Sequence, residues 1–68
     1  MFAQILKNEI SRSGKTQAQI CDETGISVTL MSYYVTGRRT PSLKNLYLLS
    51  EALNFSVDIV LRIMYGGE

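Results

Sequence analysis

Hydrophobic side chains recur every three or four residues along most of this chain, which is the spacing of one face of an α-helix. The first such set is Phe2, Ile5, Leu6 and Ile10. Mostly polar side chains lie on the other face, so the pattern predicts an amphipathic helix from Phe2 to Ser13. The glycine that follows is typical of a helix C-terminal cap.

A second helix is predicted from Thr16 to Thr24. The Thr16 hydroxyl can accept a backbone N–H of the first turn while the Gln19 side chain reaches back, which is a capping-box pattern. Gly25 can adopt the left-handed backbone conformation that a sharp turn between two helices requires. Ser27 is then placed to cap a third helix.

The third helix has two chemically different faces, because successive side chains point about 100° apart. Met31, Tyr34 and Val35 project to one side and are expected in the core. The outward face consists of Val28, Thr29, Ser32, Tyr33 and Thr36. A glycine ends this helix, and a basic loop containing Arg38 and Arg39 follows.

Two further helices complete the predicted fold. Either Ser42 or Thr40 is expected to cap the fourth helix, and Asn54 is a candidate C-terminal cap. Its hydrophobic positions are Leu43, Leu46, Leu49, Ala52 and Leu53. Ser56 begins the fifth helix, which is expected to fray at glycines 66 and 67. Because no segment alternates hydrophobic and polar residues over the length of a strand, we predict an all-α fold with five helices in a single domain, residues 1–68.

The composition limits the possible functions. With 68 residues, 46% of them hydrophobic, the chain can build one small core but not a second domain. No histidine and a single cysteine leave no usual ligand set for zinc or haem and no internal disulfide. Lys7 and Glu9 interrupt the apolar run that a signal peptide needs, and no uncharged run approaches the roughly 20 residues of a membrane span. We therefore expect a cytoplasmic protein with no cofactor, metal, membrane partner or small-molecule substrate.

Charge is unevenly distributed, although the formal net charge is only +1. The basic residues Lys15, Arg38, Arg39 and Lys44 flank the second and third helices. The acidic residues Asp22 and Glu23 lie within the same stretch and oppose this trend. The distribution, rather than the total, is what favours a nucleic-acid partner.

An ordered set of short motifs extends from Thr16 to Leu61. It comprises Gln17, Ile20 followed by a small residue, Gly25-Ile26-Ser27, Ser32, Gly37-Arg38-Arg39, Pro41-Ser42-Leu43, Ala52-Leu53 and Ser56-Val57-Asp58. In order and spacing, this set resembles the phage lambda repressor and Cro family of helix-turn-helix transcription regulators. The resemblance implies a lambda-repressor-like DNA-binding domain that binds double-stranded operator DNA and acts as a phage-type repressor or Cro-like regulator, without enzymatic activity.

The resemblance also implies which side chains contact DNA, because the third helix of that family lies in the major groove. The implied base contacts are Val28, Thr29, Ser32 and Tyr33. The implied backbone contacts are Gln17, Thr36, Arg38, Arg39 and Lys44. Family members often carry Gln or Arg on the reading face, and their absence here shifts weight towards apolar contact and DNA shape. The alternatives are that Gln17 only caps its helix and that the basic loop is merely solvated.

The chain departs from the family at Ile10 and Val35, where many members carry an Arg and a Glu that form a buried ion pair. Replacing both charges by apolar residues avoids the cost of desolvating them. We therefore predict that Ile10 and Val35 are in contact in the core. Cys21 stands where the family usually has alanine, so we interpret it as a small buried hydrophobic residue rather than a redox sensor.

Excess apolar residues in the last third of the chain predict a homodimer. The residues concerned are Leu48, Ile59, Ile63 and Tyr65. A monomer exposing them would carry an apolar patch that soluble monomers usually avoid, whereas two-fold pairing would cover it. The alternative is that some of them pack back onto the first helix. A different functional class also remains open, namely a protein-interaction module on the same scaffold, whereas an enzyme lacks a plausible catalytic constellation.

Overall fold

Five α-helices account for most of residues 1–66, the part of the chain that the computed structural model describes. They are α1 (Phe2–Ser13), α2 (Gln17–Thr24), α3 (Val28–Thr36), α4 (Leu43–Leu53) and α5 (Val57–Tyr65). No strand occurs within these residues, and the predicted all-α architecture is confirmed. Gly66 follows the last helix as its C-cap, whereas Gly67, the other half of the predicted fraying end, lies outside the described residues.

Side-chain caps begin four of the five helices. At α2 the Thr16 hydroxyl accepts the backbone N–H of Gln19, and the Gln19 side-chain oxygen accepts the N–H of Thr16, which is the predicted capping box. Ser42 rather than Thr40 caps α4, because its hydroxyl accepts the N–H of Asn45. Each cap gives a partner to a backbone N–H that the first turn leaves without one. Ser27 and Ser56 do the same at α3 and α5.

Two glycines make the turns that orient α3. Gly25 has φ 77° and its N–H donates to the Cys21 carbonyl at 2.8 Å, which ends α2 and redirects the chain within a few residues. Gly37 has φ 81° and ends α3 in the same way. Residues with a Cβ adopt this left-handed conformation only with strain, so both glycines are required by the backbone.

One hydrophobic core joins all five helices. Its buried members are Phe2, Leu6, Ile20, Cys21, Ile26, Met31, Tyr34, Val35, Leu46, Leu49, Leu53 and Val60. Helix α1 packs on α3, α4 and α5, and α2 packs on α3 and α4. The predicted inner face of α3 is thus buried, and packing on two neighbours fixes the direction in which its opposite face points.

Leu43 was expected among the hydrophobic positions of α4, yet its side chain is 67% exposed. At 3.6 residues per turn it lies at the edge of the stripe formed by Leu46, Leu49 and Leu53. It is also the first residue of the helix. Leu43 therefore contributes to the surface and not to the core.

The predicted apolar patch of the last third is divided between two sides of α5. Ile59 and Ile63 are exposed and lie four residues apart on one face. Tyr65 is exposed too, but the two-residue step from Ile63 turns its side chain by about 200°. Leu48 is half-buried rather than exposed. Ile59, Ile63 and Tyr65 remain exposed, and none of them belongs to the core or to the hydrophobic residues packed against it.

Candidate functional site

The outward face of α3 is open to solvent along the length of the helix. Val28, Thr29, Ser32 and Thr36 are exposed, with 70% of Val28 accessible at the first turn. Methyl groups and hydroxyls dominate this face, and it carries no charged side chain. The face therefore offers apolar contact and short-range hydrogen bonding to a partner.

Tyr33 differs from the rest of this face because it is half-buried and contacts two cations. The guanidinium carbons of Arg38 and Arg39 lie over its ring, 5.7 and 5.8 Å from the centroid. Both distances are within the range in which a cation is attracted to an aromatic face. The aromatic ring thus joins the neutral face of α3 to the basic loop.

The backbone of the basic loop is folded back onto the end of α3. The N–H groups of Arg38 and Arg39 both donate to the Tyr33 carbonyl, at 2.9 and 3.3 Å. This arrangement depends on the left-handed Gly37, which reverses the chain between the helix and the arginines. We call Gly37, Arg38 and Arg39 the basic turn. Both its arginines are exposed and adjoin the outward face of α3.

The N-terminus of α2 supplies a second polar element. Gln17 is its first residue and is exposed, while the capping box is formed by Thr16 and Gln19. Gln17 is therefore not needed as a cap, and its amide is accessible beside the partial positive charge that a helix N-terminus carries.

Two other predicted contact residues, Thr36 and Lys44, differ in whether their polar groups are already hydrogen-bonded within the protein. Thr36 donates its hydroxyl proton to the Ser32 carbonyl at 2.8 Å, so it offers a partner only oxygen lone pairs unless the hydroxyl rotates. Lys44 is exposed in the first turn of α4. It follows the basic turn along the chain by five residues.

Lys15, by contrast, does not contribute a free charge to this surface. Its ammonium donates to a Glu23 carboxylate oxygen and to the Ala52 carbonyl, each at 2.7 Å. It thereby fastens the α1–α2 connection to α2 and to the end of α4. Glu23 is engaged by the same contact, whereas Asp22 is exposed and forms no ion pair within residues 1–66.

Polar contacts inside the bundle hold α3 in place. The Asn45 side-chain amide donates to the Tyr34 hydroxyl at 2.8 Å, which ties α3 to the first turn of α4. The Thr24 hydroxyl donates to the Ile20 carbonyl and accepts the N–H of Ile26, bridging the turn between α2 and α3. None of these three hydrogen bonds has a sequence signature, since a polar residue at these positions is equally compatible with exposure.

The described residues contain no cluster of side chains suited to hold a metal ion, and none of their helices is long and apolar enough to cross a membrane. Cys21 is buried, and desolvation raises the pKa of its thiol. The structure also contains a groove of about 200 Å³. Its lining is Thr40, Pro41, Leu43, Leu46, Leu61, Met64 and Tyr65.

Comparison with known proteins gives two findings. A family model described as helix-turn-helix matches residues 6–60. The chain is also similar to the transcriptional repressor RstR of the cryptic phage CTXphi in Vibrio cholerae, with 42% identity over 53 residues, 78% of this chain and 47% of that protein. The chain thus spans about half the length of the curated relative that it matches. No solved structure shows significant similarity to it.

Proposed function

The chain belongs to the helix-turn-helix family, and from that premise we propose that it is a sequence-specific, double-stranded DNA-binding transcription regulator of the phage-repressor or Cro type. In this proposal one domain, residues 1–68, binds DNA in the cytoplasm, and no side chain takes part in a catalytic step. The similarity to a phage transcriptional repressor supports it.

One structural observation carries the proposal. The exposed face of α3 has the basic turn at its C-terminal end, and Gln17 is exposed at the N-terminus of the helix that precedes it. Neutral groups that can meet base edges are thus combined with cationic and helix-terminal groups that suit phosphates. A loop that is merely solvated would not need its guanidinium groups to lie over the ring of Tyr33.

The proposed reading of bases rests on the first turns of α3. Val28 and the methyl of Thr29 suit the thymine methyl group in the major groove, and the hydroxyls of Thr29 and Ser32 can bond to several bases. Tyr33 lies at the boundary between this face and the basic turn. Since no bidentate purine reader is present, the proposed specificity depends strongly on apolar contact and on DNA shape.

The proposed backbone contacts surround this face. Arg38, Arg39 and Lys44 would bind phosphates as cations, and Gln17 would bind one beside the α2 N-terminus. Thr36 would contribute by accepting or, after rotation, donating a hydrogen bond. Such contacts fix the register of the helix on the duplex without selecting a sequence.

We also propose that the regulator acts as a homodimer through α5. Ile59 and Ile63 form its exposed apolar face and would be covered by the same face of a second copy. Leu48 and Tyr65 are assigned to the rim, because one is half-buried and the other points to a different side. The two α3 helices would then enter successive major grooves about 34 Å apart.

A second candidate function is binding of a partner protein, which the apolar groove beside exposed Leu43 and Tyr65 favours. Selection of bound duplexes from a random DNA pool distinguishes the two. A DNA-reading dimer enriches a symmetric motif with spaced half-sites, and Thr29→Ala changes the enriched bases. Arg39→Ala is the matched control, because loss of a phosphate contact weakens all duplexes alike. Failure to enrich any motif would reject sequence-specific DNA binding.

A further inference from the structure

The contacts of Tyr33 set it apart from the other side chains on the outward face of α3. Its carbonyl accepts the N–H groups of both arginines of the basic turn, and its ring lies under both guanidinium groups. Tyr33 therefore holds the basic turn in two ways. Its carbonyl binds the backbone of the two arginines, and its ring contacts their guanidinium groups.

We propose that Tyr33 is a positioning residue, which holds Arg38 and Arg39 in a phosphate-binding arrangement and does not itself read a base. This inference rests on the proposed DNA-binding function. It replaces the base contact that the family resemblance implies for Tyr33 by a positioning role. It leaves base reading to Val28, Thr29 and Ser32.

The physical reason is the cost of ordering long side chains. An exposed arginine loses rotamer freedom when it binds a phosphate, and that loss subtracts from the affinity. A ring that holds the guanidinium before binding removes part of the cost, because the planar cation retains outward N–H groups for a phosphate while its face rests on the ring. Neither arginine forms an ion pair within residues 1–66, so the ring is the principal partner of both guanidiniums.

The same contacts argue against base reading by Tyr33. Its ring is half-buried and two cations occupy the space over it, which limits stacking on or insertion beside a base. Only the hydroxyl remains as a group for direct contact with DNA. Removing the ring and removing the hydroxyl therefore have different expected effects, and two variants separate the roles.

The test compares Tyr33→Phe with Tyr33→Leu by fluorescence anisotropy on a selected duplex and on one of unrelated sequence. Tyr33→Phe keeps the ring and should bind within about twofold of the wild type on both. Tyr33→Leu should bind both duplexes roughly tenfold more weakly, as expected from two weak cation–ring contacts. In a background with Arg38→Ala and Arg39→Ala, adding Tyr33→Leu should change the affinity by less than about twofold, because the groups that it positions are absent.

The free protein gives an independent readout by NMR. Ring currents should shift the Arg38 and Arg39 side-chain δ-protons in the wild type and in Tyr33→Phe, and the shift should disappear in Tyr33→Leu. If Tyr33→Leu does not fold, Tyr33→Met provides the same comparison with a flexible apolar side chain.

Several results would overturn the inference alone. An equal loss of DNA affinity in Tyr33→Phe and Tyr33→Leu would assign the effect to the hydroxyl. An undiminished loss of affinity in the arginine-free background would indicate direct DNA contact by Tyr33. Wild-type affinity of Tyr33→Leu would show that the ring has no role in binding. A change of preferred sequence with Tyr33→Leu would also overturn it. If the wild type binds no duplex at all, the proposed function fails, and this inference fails with it.

Discussion

At the scale of single residues, Cys21 illustrates how burial sets chemistry. The thiol lies in the core and desolvation raises its pKa, so it remains protonated at neutral pH. Its place at the inner face of α2 agrees with the interpretation of a small hydrophobic residue. A thiol in this environment is a poor nucleophile, because the thiolate is the reactive form.

The raised pKa of Cys21 predicts a loss of stability at alkaline pH. Because the thiol ionises more readily in the unfolded chain, its contribution is fully present below the unfolded pKa of about 8.5 and is lost as the pH rises through the folded value. The free energy of unfolding in urea should therefore decline as the pH rises above about 9. Cys21→Ala should show a smaller decline, and equal declines in both proteins would contradict the prediction.

Ile10 and Val35 test a second consequence of burial. Val35 is buried in α3, and Ile10 is half-buried in α1 and packed against the core, while α1 packs on α3. Val35→Glu should lower the free energy of unfolding by about 3–5 kcal/mol, the cost of an unpaired buried charge. Adding Ile10→Arg should recover part of it if the two side chains are neighbours. Unchanged melting of Val35→Glu, or no recovery in the double variant, would show that they are not.

At the scale of elements, the sequence predicted the helices well because their signals are local. Hydrophobic spacing, capping residues and glycines together indicated all five helices, and Thr16 with Gln19 indicated the capping box, since the partners are three residues apart. The pairing of Lys15 with the Ala52 carbonyl could not be predicted in this way, because it is a contact across 37 residues of chain. The exposure of Leu43 was missed although the helical period places it at the edge of the stripe formed by Leu46, Leu49 and Leu53.

In the candidate site, too, some features follow from local sequence signals and others depend on the folded backbone. The exposed face of α3 follows from its period, so Val28, Thr29 and Ser32 could be assigned to it from sequence. The contact of Tyr33 with both arginines depends on how Gly37 turns the backbone, which the residue types alone do not specify. The order of motifs indicates DNA binding, whereas the fold places the cations of the basic turn over the ring of Tyr33.

The hydrogen bond between Asn45 and the Tyr34 hydroxyl gives a prediction at the element scale. It ties α3 to α4, so Tyr34→Phe should lower the free energy of unfolding by about 1 kcal/mol. Tyr47→Phe is a matched control, because Tyr47 is 56% exposed in the same bundle. Urea denaturation followed by circular dichroism measures both. Equal effects of the two substitutions would indicate that the bond contributes nothing to stability.

At the scale of the whole molecule, the proposed dimer depends on the exposed face of α5. Ile63→Asp should produce a monomer in sedimentation velocity and should load onto a palindromic duplex less cooperatively, because a charge would be buried in the interface. Leu43→Asp tests the other apolar surface, since exposed Leu43 lines the groove together with the rim residue Tyr65. A wild type that is monomeric alone and also loads singly on DNA would exclude this interface, and dissociation by Leu43→Asp alone would assign the dimer to the groove.

The central claim is that α3 and the basic turn together bind duplex DNA, and the salt dependence of affinity tests it most directly. Fluorescence anisotropy of the wild type and of Arg39→Ala, measured at several salt concentrations, gives the slope of log K against log salt. The wild-type slope should be steeply negative, and it should become shallower by about 0.9 when Arg39 is removed, the change expected for one phosphate contact on B-DNA. A flat slope, or one that Arg39→Ala leaves unchanged, would contradict the account.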